Sequence, residues 1–100
     1  MRFLMDVELP PEPFNTYVRE GSISAKMQKV MGAIRPEAAY FCGRNGKRGG
    51  TLVVNINSTS EMPGLAEPWF LLFNASVEFH PAMTPEDLGK ANLDAIGKQW

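Results

Sequence analysis

The sequence predicts an α+β domain, a four-stranded antiparallel sheet with its helices on one face, and three observations carry that prediction. Two stretches, 3–9 and 75–81, alternate apolar and polar residues with the period of two of a half-buried strand. A third, "AAYFCGRNGKRGGTLVVNIN", has Asn45-Gly46 near its middle, the dipeptide of the type I′ turn that joins antiparallel strands. Between them lie segments whose apolar residues recur at helical spacings of three and four.

In the first strand Phe3, Met5, Val7 and Leu9 share one face while Asp6 and Glu8 take the other, and Pro10, Pro11 and Pro13 end it. Ile23, Met27, Val30, Met31 and Ile34 then form the apolar stripe of a helix. Gly21-Ser22 leaves open whether this is one helix or two. In the second case an N-terminal turn carries Phe14, Tyr17 and Val18, and Ser22 or Ser24 caps the next helix. Arg35-Pro36 stops it. With Asn45-Gly46 as the turn, Tyr40 opposes Thr51 and Phe41 opposes Gly50, so Tyr40 and Cys42 share a face with Val53, Asn55 and Asn57. Ala39, Phe41, Leu52, Val54 and Ile56 occupy the more apolar face. Ser58 or Thr59 caps a helix expected to be short and irregular, with Pro63 near its first turn and Pro68 either closing it or starting another turn. The last strand sets Val77 and Phe79 against Ser76, Glu78 and His80. Thr84 then caps a C-terminal helix with Pro85 at its first position and a stripe of Leu88, Ala91, Ala95 and Ile96. The terminal Trp100 implies that this helix docks, on its own chain or on a partner subunit.

This order of strand, helix, strand, strand, helix, strand and final helix is the ferredoxin-like split βαβ arrangement. Residues 1–100 make one domain, because a chain of this size buries only roughly 65% of its unfolded surface and has no material for a second core. The helices cover one sheet face. The other carries Leu4, Tyr40, Cys42 and Val53 beside polar groups, too apolar to stand open in water. The same face of a second copy is the simplest cover, giving a homodimer whose stacked sheets form a barrel with a cavity between them.

Composition excludes several partners. Hydrophobic residues make up 44%, charged residues 21%, and the net charge is −1, so there is no basic footprint for nucleic acid or anionic lipid. Asp6 and Glu8 interrupt any signal-peptide core, and the longest apolar run, "WFLLF", falls far short of the roughly 20 residues that span a bilayer. One cysteine forms no internal disulfide, and no Cys/His group has metal-ligand spacing. The expectation is a cytoplasmic protein with no membrane or nucleic-acid partner, no metal and no cofactor. "GRNGKRGG" lacks the strand-to-helix context of a phosphate loop; a hairpin turn accounts for its glycines, and Arg44, Lys47 and Arg48 protect an exposed hairpin.

The candidate chemistry lies on the open face. Glu78 and the single histidine, His80, are two residues apart on one side of the last strand, with Asp6, Glu8, Tyr40, Asn55 and Asn57 on the same face. A carboxylate orients an imidazole so that it moves a proton near neutral pH. The alternative is that His80 sits at the strand's solvent end and Glu78 pairs with an arginine. Tyr40 suits the lining of a pocket; Cys42, with nothing to activate its thiol, reads as a small apolar filler. Trp69 and Phe70, in "EPWFLLF", are expected to wall the cavity or pack at the subunit interface.

The run from Gly49 to Asp87, "GGTLVVNINSTSEMPGLAEPWFLLFNASVEFHPAMTPED", resembles a group of short bacterial proteins without assigned function in the dimeric α/β-barrel superfamily. "MRFLMDVELP" resembles the first strand of muconolactone isomerases in that superfamily, which also holds antibiotic-biosynthesis monooxygenases. Asp6 stands where a basic residue of the isomerases is expected, and no catalytic residue carries over. The open face predicts a homodimer binding a small, partly apolar organic molecule between its sheets, and the resemblance adds the expectation of a cofactor-free isomerase- or monooxygenase-like enzyme. His80 and Glu78 would move the proton, Tyr40, Asn55 and Asp6 would hold polar groups, and Trp69 and Phe70 would form the apolar wall. The alternative reading is a non-catalytic structural or sensor dimer with a packed barrel interior.

Overall fold

A computed structural model describing residues 1–100 places strands β1 (Arg2–Leu9), β2 (Ala38–Arg44), β3 (Lys47–Asn55) and β4 (Ser76–Ala82) in one antiparallel sheet of order β2-β3-β1-β4. This is the ferredoxin-like order. The hairpin register is the one the Asn45-Gly46 turn predicts, with Tyr40 opposite Thr51 and Phe41 opposite Gly50. Both turn residues have positive φ, 52° and 74°, as a type I′ turn demands.

Phe3, Met5, Val7 and Leu9 of β1 and Leu52 and Val54 of β3 form the floor of the core. Helices cover only this face. The segment after β1 divides at Gly21, whose φ of 75° closes α1 (Pro11–Glu20) before α2 (Ile23–Ile34) begins. Ser22 holds the N-cap position of α2 but makes no side-chain capping bond. The regular part of α1 starts after Glu12, whose carboxylate accepts from the Thr16 backbone N–H and hydroxyl. Val30 and Ile34 are the buried residues of α2.

The largest departure from the sequence reading is at residues 58–73. Ser58 caps a short 3₁₀ turn, Thr59–Glu61, which leads into α3 (Met62–Phe73), a regular helix running through Pro68. A proline inside a helix costs about 3 kcal/mol. Burying Trp69 and Phe73 completely returns about 1.5–3 kcal/mol for each side chain, so tertiary packing outweighs the local signal. Phe73 is the centre of the aromatic core, its ring centroid 5.7 Å from those of Phe14 and Trp69 and 5.9 Å from that of Tyr17. The Tyr17 hydroxyl donates to the Leu72 carbonyl at 2.8 Å, tying α1 to α3.

The C-terminal stripe does not form one docked helix. Thr84 and Asp87 cap α4 (Pro85–Lys90) reciprocally, but Asn92, at φ 52°, breaks the helix before α5 (Leu93–Gly97). Neither helix buries a residue, and Trp100 is 98% exposed. The molecule extends 60 Å along its longest axis. No helix is long and apolar enough to cross a membrane.

Both capping boxes carry a pH signature. The Glu61 carboxylate accepts from the Ser58 and Asn57 backbone N–H groups and is held below the ordinary glutamate range. That of Asp87 is likewise lowered, by the Thr84 backbone N–H and then its hydroxyl. A carboxylate with a depressed folded-state pKa contributes stability that is complete above its unfolded pKa. The contribution declines as pH falls below that value and is lost once pH passes below the folded one. Denaturation midpoints followed across this acidic window are expected to fall more steeply for the native chain than for Glu61→Gln; parallel curves would refute the assignment.

Candidate functional site

Four strands place the residues of the uncovered face in rows, read across β2, β3, β1 and β4. One row is Ala38, Val53, Leu4 and His80; the next is Tyr40, Thr51, Asp6 and Glu78; the third is Cys42, Gly49, Glu8 and Ser76. An apolar row therefore borders a polar one.

Asp6 is the centre of the polar row. Its Oδ1 accepts from Arg44 Nη2 at 2.9 Å and from Thr51 Oγ1 at 2.6 Å, and Arg44 also reaches the Thr51 hydroxyl. His80 Nε2 lies 3.3 Å from Asp6 Oδ2 and 3.3 Å from Glu78 Oε2. Asp6 is three-quarters shielded from solvent, whereas His80 is half exposed. An imidazole nitrogen is thus flanked by two carboxylates, one held rigidly by a guanidinium and a hydroxyl and the other free to move.

Gly49 makes this arrangement possible. A Cβ there would stand 2.6 Å from the Val7 carbonyl oxygen and 3.0 Å from the Arg44 Cγ and Cδ. The bare backbone lets the Arg44 side chain lie across β3 and reach β1. Gly49 and Gly50 lie within β3, so the hairpin turn accounts for Gly46 but not for these two.

The other expected residues separate. Tyr40 is on the open face beside Thr51 and largely exposed. Asn55 belongs to a second network at the other end of the strands, donating to Glu37 Oε1 at 2.8 Å, while Arg2 Nε pairs with the same carboxylate at 3.0 Å. These bonds, the one from Asn55 first, hold the Glu37 carboxyl below its usual range. The register spacing of four residues sets this network roughly 13 Å from Asp6 along the strand. Asn57 lies beyond β3, its backbone N–H bound to Glu61. Glu8 accepts from Asn45 Nδ2 at 2.7 Å and stabilises the turn. Cys42 is exposed and unbonded to another cysteine.

Trp69 and Phe70 are not on this face. Trp69 is wholly buried in the core on the helical side of the sheet, and Phe70 is partly exposed on α3. Their helical placement, forced by packing through Pro68, removes them from any wall above His80. Two residues of the cluster, Arg44 and Thr51, were not expected there. Their signal was present in the alternation of Tyr40, Cys42 and Arg44 and in the pairing of Tyr40 with Thr51, but the charge of Arg44 was assigned to protecting the hairpin.

Ligand atoms of Asp6, Glu78 and His80 lie within 4.8 Å of one another, a set that could hold a divalent cation. The Arg44 guanidinium on Asp6 supplies a competing positive charge, which suits the cluster better to handling a proton or a polar group. A cleft of about 170 Å³ opens beside it, between Asp6, Glu8, Arg44 and Glu78. That is smaller than the roughly 300 Å³ at which small-molecule sites begin.

The fold and this cluster define a small α+β protein of ferredoxin-like order with a polar cluster of Asp6, Arg44, Thr51, Glu78 and His80 on its bare sheet face. No protein-family model and no curated protein matches the chain.

Proposed function

We propose that the chain acts as a homodimer, two bare sheet faces stacked, and binds a small, partly apolar organic molecule between them, where His80 transfers a proton. The observation that carries this reading is the approach of His80 Nε2 to 3.3 Å from both Asp6 and Glu78 on a face that is otherwise half apolar. The apolar body of the molecule rests on Leu4 and Val53, and Tyr40 borders it. Asp6, locked by Arg44 and Thr51, orients the imidazole through Nε2. Nδ1 then takes or returns the proton, and Glu78, three-quarters exposed, adjusts as charge develops. The exposure of Leu4 and Tyr40 on the uncovered face favours the dimer, because a second face is what would cover them. Isomerisation by proton shuttling, or a cofactor-free oxygenation that begins with proton abstraction, both suit this group.

The test is native mass spectrometry of protein purified without added ligand. The expected result is a dimer that carries a small organic mass, which is lost in His80→Ala and Glu78→Gln, and monomers for Leu4→Lys with unchanged circular dichroism. A monomeric native chain would overturn the reading. An empty dimer whose interior is filled by side chains would move it to a structural or sensor role.

A further inference from the structure

A larger concavity lies on the opposite side of the sheet, where the helical layer stops short of the β2–β3 hairpin. It measures about 820 Å³ and opens between α1, α2 and the hairpin. This falls within the roughly 300–1,000 Å³ typical of small-ligand sites. Phe14 and Met27 bound it on the helical side and Phe41 on the sheet side. Phe41 belongs to the core face of β2 yet is 54% exposed, because no helix covers it. Its ring occupies the space a side chain at Gly50 would fill: a Cβ there would stand 3.0 Å from the ring and 2.9 Å from the Tyr40 carbonyl oxygen. Gly50 therefore keeps the floor low.

The groove has a charge of its own. Arg48 belongs to the core-face set of β3 and lines it, no aspartate or glutamate does, and the net charge of the chain is −1. Lys47 touches its edge but belongs by alternation to the other face, paired with Arg44. The Arg48 guanidinium is pre-positioned, stacked 4.3 Å from the centroid of Phe14 and donating to Asn15 Oδ1 at 2.8 Å. Arg48 forms no ion pair within the chain, and the Glu12 carboxylate, held below the usual range first by Thr16 and last by Arg48, does not line the groove. An uncovered apolar floor beside a fixed guanidinium that has no ion-pair partner fits a molecule with an apolar body and an anionic head.

We propose that this groove binds an amphiphilic organic anion, its body against Phe14, Met27 and Phe41 and its carboxylate or sulfonate at Arg48. The site is independent of the His80 cluster, which lies on the other sheet face, and of the dimer that would cover that face.

The test is amide chemical-shift mapping of the full chain titrated with decanoate, and with decyltrimethylammonium as a cation of matching length. Decanoate is expected to shift Phe14, Met27, Phe41 and Arg48 saturably while the cation does not. Arg48→Gln should weaken decanoate at least about tenfold, the worth of one charge-assisted hydrogen bond, while Lys47→Gln should change it far less. His80→Ala should leave it unchanged, which separates this site from the proposed proton-transfer site. Equal binding of the cation, shifts centred on the Asp6 row, or no saturable shift would overturn the proposal. So would contacts between Trp100 and Phe41 in the free protein, which would make the groove a seat for the C-terminal arm of a second copy.

Discussion

Trp69→Ala is expected to remove about 3–5 kcal/mol of stability, the cost of emptying a large aromatic site in a core that cannot collapse around it. Only 15 of 100 residues are buried, and Trp69 packs on Phe73, itself the contact point of α1 and α3. A domain of this kind has about 5–15 kcal/mol in total, so this loss would leave it marginal. Trp69→Phe should cost far less, about 1 kcal/mol, since it keeps the ring against Phe73 and deletes an indole N–H that has no hydrogen-bond partner. Urea denaturation followed by far-ultraviolet circular dichroism measures both. A loss below about 1 kcal/mol for the alanine variant would mean that α3 is not the keystone of the core.

Gly49→Ala should be the most damaging single-methyl addition, at about 2–3 kcal/mol. The new Cβ would press on the Val7 carbonyl oxygen at 2.6 Å, a backbone atom inside the β1–β3 ladder, and on the Arg44 side chain. Relief requires the strands to part or Arg44 to leave Asp6. Gly43→Ala supplies the control: its Cβ would meet nothing nearer than 3.9 Å, and losing glycine's unfolded-state freedom makes that change neutral or slightly stabilising. Paired denaturation curves separate the two. Equal midpoints would show that Arg44 does not depend on bare backbone at Gly49.

The site was legible to the extent that strands alternate. Period-two patterning put Asp6, Glu78, His80 and Tyr40 on the face away from the helices, and the Asn45-Gly46 turn fixed the hairpin register to the residue. Local rules carried those inferences because side-chain direction in a strand depends only on parity. They did not extend to Arg44 crossing Gly49, since a long side chain can leave its own row, and where it goes depends on which neighbour has no side chain. Nor did they place Trp69 and Phe70. Pro68 reads locally as a stop, and only the energy of filling the space under the sheet carries α3 past it.

By itself the sequence determined four strands with their facing, the type I′ hairpin and the ferredoxin-like order, because periodicity and turn chemistry act within a few residues. The three-dimensional structure alone decided that Asp6 lies between Arg44 and His80, that Trp69 fills the core, that the C-terminal helices bury no residue, and that an apolar groove edged by Arg48 remains beside Phe41. Each of these turns on contacts between residues far apart in the chain, where the competition is between whole surfaces seeking cover rather than between local conformations.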